Sequence, residues 1–340
     1  MAAQTPAGSR PATSERTGRP VARLGVGLDA NPKTTAQYRD DAWNESIELM
    51  QTTGATQFHY SQQWSAFETQ ADVFKTTELE SRVRQSRRTP IAFTLKIIDA
   101  GRRTMPEAYK SLAWDSPEMI ARLGRVIARL APLLGNRLSS YAIGNEIDMY
   151  FDSRPQEVAA YARLLLRMKA LIRQLHPAAS FTTVLQFGAV PQVRGRYAPI
   201  VDTLDHVAFT YYPLTADLRV RPPESILADL PLMLAAAQPR PIALQELGYP
   251  TAAVLGSSQE QQSTFVRLVF DAVRIAGTER VVAMTYLFQA DFPEWLVNDL
   301  AQVYGAEGEN FRAFLRTLGL RDERDRPKLG WNEFVRQLED

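Results

Sequence analysis

The sequence contains no cysteine and only three histidines among its 340 residues. The lack of cysteine excludes disulfide bonds, thiolate metal sites, iron–sulfur clusters and cysteine nucleophiles. Because His59, His176 and His206 lie far apart in the sequence, a histidine-rich metal centre is not favoured. We therefore predict an activity that uses neither a metal nor another cofactor.

Neither sign of charge dominates, since the chain has 39 Lys and Arg residues and 38 Asp and Glu residues. A chain with this balance has no overall field that would attract nucleic acid or an anionic membrane. Long apolar runs are also missing, and no stretch approaches the ~18 residues of a transmembrane helix. We predict neither a nucleic-acid partner nor a membrane span, and the sequence leaves the oligomeric state open.

The first segment, residues 1–20, is rich in small and polar residues and lacks the apolar run of a signal peptide. Its composition predicts a flexible tail, followed by a single catalytic domain over 21–340. A sequence whose signal peptide had been trimmed would look the same. Localisation therefore stays open between a secreted or periplasmic protein and a cytoplasmic one.

After Val21 the chain alternates short apolar segments with amphipathic ones. Short apolar segments rich in β-branched and aromatic residues are typical of strands that helices cover on both faces. Eight segments fit this description: 22–30, 56–62, 91–99, 139–146, 182–187, 206–212, 242–246 and 281–288. Strands that alternate with helices form a parallel sheet, and eight such units closed on themselves make a single (β/α)₈ TIM barrel.

The competing fold is an open, doubly wound parallel sheet. Such a sheet usually carries a glycine-rich turn after its first strand. Here Gly25 and Gly27 lack a third glycine, and no phosphate-binding loop pattern occurs. The α/β barrel is therefore the predicted fold class.

Several helices carry their own boundary signals. Ser116, followed by a proline, predicts a helix start, and Gly135 predicts its end. Ser257 with Glu260 has the spacing of a capping box. A third helix is predicted over 156–175.

Two of the predicted strands end in a glutamate. Glu146 closes strand four and Glu246 closes strand seven, each directly after an apolar run. A single glutamate at the end of a strand caps the next helix or pairs with an arginine about as often as it serves in catalysis. Active sites of these barrels form at the carboxyl ends of the strands, where strands four and seven face each other across the mouth. Two carboxylates that flank a cleft suit glycoside hydrolysis.

The segments around both glutamates are similar to those of a known superfamily. The segment 143–146, Ile-Gly-Asn-Glu, resembles the Asn-Glu motif that closes strand four in the clan A glycoside hydrolases. These retaining (β/α)₈ enzymes include cellulases, mannanases, β-galactosidases and endo-β-1,4-galactanases. The segment 244–250 is similar to the one that carries their nucleophile, and 319–331 resembles the common ending of their domains.

The resemblance implies roles for individual residues. Glu146 would be the acid/base, Glu246 the nucleophile, and Asn145 a partner of the sugar 2-hydroxyl. A tyrosine at the end of strand six usually contacts the nucleophile in this clan; Tyr211 and Tyr212 are the candidates, and we favour Tyr211. The resemblance also implies carboxyl groups about 5 Å apart, as in retaining enzymes, and an acid/base whose pKa the nucleophile's charge raises.

Five further residues are candidates for substrate binding. His59 stands near the position where the clan often has an arginine, and Trp64 matches a tryptophan often found five residues further on. Phe288 or Gln289 replaces the strand-eight tryptophan that often floors the sugar subsite in the clan, and Phe288 is the binding candidate of the two. Lys96 and Asp99 close strand three, where they either bind hydroxyl groups or pair with each other.

We predict a retaining glycosidase that cleaves a β-linked oligo- or polysaccharide. A catalytically silent barrel that binds carbohydrate is the alternative, because the residues that replace clan residues can remove activity. The sequence lacks the residues that an aldolase or a metal-dependent lyase needs. Only Lys96 suggests a Schiff base, and no clustered acids suggest a magnesium site. Serine-hydrolase and zincin motifs are absent. The sugar, the linkage and endo or exo action stay open.

Overall fold

The computed structural model describes residues 24–31 and 40–339. The predicted tail 1–20 and the first two residues of the predicted strand 22–30 lie outside the described residues. All eight predicted strands are present, with shifts of a few residues at their ends. They are β1 (Gly25–Leu28), β2 (Phe58–Gln63), β3 (Ile91–Asp99), β4 (Leu138–Asn145), β5 in two pieces (Ser180–Thr182 and Val184–Gln186), β6 (Val207–Tyr211), β7 (Ile242–Leu247) and β8 (Val281–Tyr286).

The strands pair in parallel and in chain order. One sheet runs β1-β8-β7-β6-β5 and the other runs β2-β3-β4-β5, so the two pieces of β5 belong one to each sheet. A parallel bridge between Gly27 and Gln57 connects β1 to β2. This circular order is that of a (β/α)₈ barrel, so the predicted fold class is confirmed.

Helices follow the strands along the chain. They are α1 (Asp40–Thr52), α2 (Trp64–Phe67), α3 (Thr77–Gln85), α4 (Pro117–Leu134), α5 (Ile147–Phe151), α6 (Val158–Leu175), α7 (Ala198–Val201), α8 (Ser225–Ala237), α9 (Gln259–Ala276), α10 (Glu294–Tyr304), α11 (Glu309–Thr317) and α12 (Leu329–Glu339). Among the described helices, none has the length and apolar character needed to cross a membrane.

The helix boundaries follow the capping residues with one correction. As predicted, the side chain of Ser116 caps α4 and Gly135 ends it. The cap of α9 is Ser258, whose side chain accepts a hydrogen bond from the backbone N–H of Gln261. Ser257 does not cap α9, because its hydroxyl donates to a backbone carbonyl instead.

Side-chain alternation decides what fills the barrel and what reaches its mouth. A layer of small residues lies inside the barrel: Ala142, Val184, Ala208 and Ala243. Further along the strands, Gln245 of β7 donates to the hydroxyl of Thr94 on β3 at 3.1 Å. Because every second residue shares a face of a strand, Lys96 lies on the same face as Thr94, one step nearer the carboxyl ends.

The segment 287–328 joins β8 to α12 and contains α10 and α11. A buried ion pair holds its base, with Lys328 Nζ 2.7 Å from a carboxylate oxygen of Asp291. The same ammonium group donates to the carbonyl of Gly319 and to the hydroxyl of Thr251. A buried pair is stable only when its remaining hydrogen-bonding capacity is satisfied, and these contacts provide that here.

Candidate active site

The backbone turns sharply where β4 ends at the first candidate carboxylate. Gly144 has a φ of 84° and Glu146 a φ of 47°. A Cβ on Gly144 would lie 2.5 Å from the hydroxyl of Tyr161 and 2.7 Å from the side chain of Ile147, so only glycine fits. A positive φ is rare for glutamate, and such strained residues concentrate at functional sites.

A bulge in β7 aims the second carboxylate. Phe209 of β6 pairs with Leu244, but the next residue, Thr210, pairs with Glu246, so Gln245 is an extra residue on β7. β-Bulges redirect the side chains next to them and are frequent beside active sites. Because of the bulge, two successive side chains of β7 both point inward. Gln245 contacts Thr94 in the barrel interior, and Glu246 contacts Tyr212 at the mouth.

Glu146 is held by neutral hydrogen-bond donors. Thr210 Oγ1 donates to Glu146 Oε1 at 2.8 Å, and the side chain of Gln186 also hydrogen-bonds to this carboxyl group. Burial, followed by the charge of Glu246, raises the pKa of Glu146 to about 8. The predicted direction is correct, but burial contributes more than the neighbouring charge, the only cause that the sequence indicated. At neutral pH Glu146 therefore holds a proton.

Glu246 is buried among groups that favour its charged form. It is 8% exposed, and the hydroxyl of Tyr212 donates to its Oε2 at 2.9 Å. Burial is the largest effect and raises the pKa of Glu246 above its ordinary value, although the charges of Lys96 and His59 and the hydrogen bond from Tyr212 act to lower it. The positive charge of Lys96 thus favours the ionised form of Glu246, whereas only hydrogen bonds from neutral side chains favour the ionised form of Glu146.

Lys96 and Asp99 belong to a polar network beside the two glutamates. Lys96 Nζ lies 3.5 Å from Asp99 Oδ1, which is the pairing that the sequence offered as one alternative. The amide groups of Asn145 and Gln63 also donate to Asp99, at 3.3 and 3.4 Å. Among the described residues, the buried Oδ1 of Asn145 has no hydrogen-bond partner. The network thus orients Asn145 and leaves its amide oxygen available.

The preference for Tyr211 as the partner of Glu246 is wrong. Tyr211 points outward, where its hydroxyl donates to Asp229 of α8 at 2.8 Å. Tyr212, the next residue, makes the contact with Glu246. Successive side chains of a strand point to opposite faces, so Tyr212 shares the inward face with Thr210.

Two other binding candidates lie below the mouth or in the core. His59 is 2% exposed, with Nδ1 3.6 Å from the carboxylate of Asp29 and Nε2 3.4 Å from the hydroxyl of Thr94. Trp64 is fully buried, and its indole N–H donates to Glu68 at 2.7 Å. Trp64 is therefore a core residue and offers no face to a sugar, while His59 lies close enough to act on Glu246 electrostatically.

Phe288 follows β8 and is half-buried, with its ring centroid 4.1 Å from that of Phe292. Sequence reasoning missed two residues, Thr210 and Gln186, which contact Glu146. Alternation along β6 was a usable signal for Thr210. Gln186 carries no local signal, because only the folded barrel brings it to Glu146.

Two features bear on the chemistry that this arrangement can perform. Within residues 24–31 and 40–339, no group of three or more His, Asp or Glu side chains could hold a metal ion. The arrangement offers two buried carboxyl groups with different hydrogen-bond donors and charges around them, at the ends of β4 and β7. The separation of about 5 Å between them stays a prediction.

Solved glycoside hydrolases share this barrel. The exo-β-1,4-mannosidase Op5Man5 from Opitutaceae bacterium strain TAV5 superposes with a TM-score of 0.71 at 19% identity, covering 93% of this chain but only 59% of its own. The GH5_18 structure from Streptomyces cattleya in complex with GlcNAc has a TM-score of 0.70 at 15% identity, covering 94% of this chain and 80% of its own. For the GH53 catalytic domain of Ignisphaera aggregans the values are 0.64 and 13%, with 95% and 98% covered.

These likenesses, at 13–19% identity, confirm the predicted barrel fold. No family model matches the sequence, and no curated protein matches it either. The activity is therefore argued below from the residues of the site.

Proposed function

We propose that the protein is a retaining glycoside hydrolase acting on a β-linked oligo- or polysaccharide, with Glu146 as acid/base and Glu246 as nucleophile. One observation carries this proposal. The two carboxyl groups at the ends of β4 and β7 have different surroundings: Glu146 accepts a hydrogen bond from Thr210 and has a pKa raised to about 8, whereas Glu246 accepts one from Tyr212 and lies in the field of Lys96. Pairs of carboxyl groups with such distinct environments divide the acid and nucleophile roles between them.

In the first step, Glu146 donates its proton to the glycosidic oxygen while the bond from that oxygen to the anomeric carbon breaks. The Glu246 carboxylate attacks the same carbon, and a covalent glycosyl ester forms. The hydroxyl of Tyr212, which donates to Glu246, orients this carboxylate. The leaving group departs with the proton that Glu146 carried.

In the second step, Glu146 is ionised and serves as the base. It removes a proton from a water molecule, whose oxygen attacks the anomeric carbon and displaces Glu246. The sugar leaves with its original anomeric configuration, and both carboxyl groups regain their starting protonation states. One water molecule is consumed per bond cleaved.

The neighbouring residues bind the sugar. Asn145 turns its amide oxygen to the sugar 2-hydroxyl, since the amide nitrogen is already engaged with Asp99. Lys96 and Asp99 bind further hydroxyl groups from the side of β3, and Phe288 offers part of its ring from the side of β8. His59 acts indirectly through its charge interaction with Glu246.

A panel of substrates tests the proposal. It contains p-nitrophenyl β-glycosides of mannose, glucose, galactose and xylose, together with mannans, β-glucans, galactans and xylans. Mannosides come first, because one structural neighbour is described as a mannosidase and another contains Manβ1-4GlcNAc. We expect hydrolysis of at least one member, and proton NMR of the first product should show the β-anomer.

A first product with the α-configuration would contradict the retaining mechanism. Saturable binding of an oligosaccharide in calorimetry without hydrolysis of any panel member would favour the silent, carbohydrate-binding barrel. The variant that lacks the Glu246 carboxylate serves as the blank for contaminating activity.

Replacing Tyr212 with phenylalanine should lower kcat/KM. The hydrogen bond to the charged Glu246 is worth about 1.5–3 kcal/mol, so we expect a loss of roughly 10- to 100-fold. Tyr211→Phe is the matched control, because its hydroxyl contacts Asp229. It should keep kcat/KM and lose roughly 1 kcal/mol of unfolding free energy in urea. Equal losses of activity in the two variants would contradict the assignment.

Replacing Lys96 with methionine should move the acidic limb of the pH–kcat/KM profile to higher pH. Activity requires ionised Glu246 and therefore rises as the pH passes through its pKa. Removing the ammonium group that lowers this pKa therefore raises the pKa of Glu246. Lys110→Met, which breaks an exposed pair with Glu107, should leave the limb in place. An unchanged limb in the Lys96 variant would refute its electrostatic role.

A further inference from the structure

A cavity of about 510 Å³ opens at the amino ends of the strands, at the opposite end of the barrel from the two glutamates. Residues at or near the starts of all eight strands line it. Barrels of this kind are normally filled by bulky branched side chains. Here alternation along the strands brings only small residues inward at this level: Gly25, Ala92, Ser140, Ala243 and Ala283. They leave a space that no described residue fills.

The inner end of this cavity is closed below the mouth of the barrel. Gln245 lines the cavity, and its side-chain amide donates across the barrel to the hydroxyl of Thr94 at 3.1 Å. Nε2 of His59 lies 3.4 Å from the same hydroxyl. These side chains separate the cavity from Glu146 and Glu246, so it is a compartment distinct from the candidate active site.

Two buried polar side chains line the cavity without a partner. Gln57 is 8% exposed and His206 is 4% exposed. Within residues 24–31 and 40–339, neither side chain forms a hydrogen bond with the protein. A Cβ on Gly25 would lie 2.4 Å from Gln57 Oε1, so the glycine makes room for this amide inside the barrel. Because buried polar groups are nearly always hydrogen-bonded, the two side chains call for a polar occupant.

The wall of the cavity is uncharged and offers both donors and acceptors. No Asp, Glu, Lys or Arg is among the described residues that line it, and burial lowers the pKa of His206 to about 4. A neutral imidazole, the amide of Gln57 and the hydroxyl of Ser140 can each donate and accept. A charged molecule would lose its hydration here without gaining an opposite charge. Hydroxyl groups suit the polar side chains, and carbon-bound hydrogens suit the apolar part of the wall, which includes Leu24 and Val282.

We infer that this cavity is a second binding site, which takes a neutral polyhydroxylated molecule of the size of a mono- or disaccharide. Its volume lies within the range of roughly 300–1,000 Å³ that is usual for small-molecule sites. Gln57, Ser140 and His206 bind the hydroxyl groups of the molecule. The inference is independent of the proposed function, because neither glutamate belongs to this site.

Isothermal titration calorimetry on the full chain tests the inference directly. The neutral probes are glucose, mannose, myo-inositol and trehalose, and glucose 6-phosphate and gluconate are their charged counterparts. We expect at least one neutral probe to bind saturably. The charged counterparts should bind at least about tenfold more weakly, because each would bury a charge without a partner.

Two variants place the bound probe in the cavity. Ser140→Leu fills part of the space with an apolar side chain, and Gln57→Leu removes the amide at similar volume. Each should weaken binding of the neutral probe about tenfold. Ser111→Leu, the same substitution at an exposed position, should leave the affinity unchanged. Thermal unfolding checks that the variants fold, and Gln57→Leu, which adds no volume, decides the matter if Ser140→Leu does not fold.

Three results would overturn the inference. They are no saturable binding of any neutral probe, equal affinity for neutral and charged probes, and unchanged affinity in the folded cavity variants. In the last case the probe occupies another site, such as the candidate active site. Each of these results leaves the proposed function standing. Failure to hydrolyse any glycoside would overturn the proposed function and leave the binding result standing.

Discussion

Replacing Glu246 with glutamine is expected to lower kcat by about 10⁴-fold or more, the range seen when a catalytic nucleophile is removed from an enzyme. Glutamine keeps the shape of the side chain and its hydrogen bond with Tyr212, but it cannot attack the anomeric carbon as an anion. A better leaving group does not help, because the missing step is the formation of the glycosyl ester. The loss should therefore be equally large for aryl glycosides and for oligosaccharides.

Glu45→Gln serves as the matched control, since Glu45 is an exposed residue of α1 and its neutralisation leaves the site unchanged. Both variants should unfold near the temperature of the wild type, because glutamine keeps the shape of Glu246 and its hydrogen bond with Tyr212, and Glu45 is exposed. A Glu246 variant that kept substantial activity on any substrate would rule out the nucleophile assignment.

Replacing Glu146 with glutamine should reduce activity on unactivated glycosides by roughly 10²- to 10⁴-fold, the contribution typical of general acid–base catalysis. The loss should be smaller for aryl glycosides, whose leaving groups need little protonation. The pH profile should also change. The wild type loses activity as the pH rises through about 8, because Glu146 then loses its proton, and the variant should lack this alkaline limb.

Measurement of kcat/KM from pH 4 to 10 on one aryl glycoside and one oligosaccharide checks this prediction. Thr210→Val offers a milder companion change, because it removes the hydrogen bond that favours the ionised form of Glu146. That variant should move the alkaline limb to higher pH. A Glu146 variant with an unchanged alkaline limb would show that another group sets it.

Alternation of apolar and amphipathic segments predicted the barrel, because burial on both faces leaves a composition that can be read locally. The two glutamates could be predicted for the same reason, since a carboxylate directly after an apolar run stands out. The different environments of the two glutamates could not be predicted from the sequence. The bulge at Gln245 breaks the two-residue period of β7, and no local pattern in the sequence indicates such an irregularity.

The errors in the candidate site have physical causes too. Tyr211 and Tyr212 are adjacent and identical in type, and only the inward direction of Thr210 decides between them. Trp64 has the spacing of a clan tryptophan, but its indole turns into the core to meet Glu68.

Trapping the covalent intermediate tests the central claim most directly. A fluorosugar that forms the glycosyl-enzyme quickly and hydrolyses slowly should be matched to the glycoside that the panel identifies. We predict that it adds one sugar mass to the intact wild-type protein and that peptide mapping places the label on Glu246. The Glu246→Gln variant should stay unlabelled. A label on any other residue, or turnover of the glycoside without any trapped intermediate and with inversion at the anomeric carbon, would contradict the account.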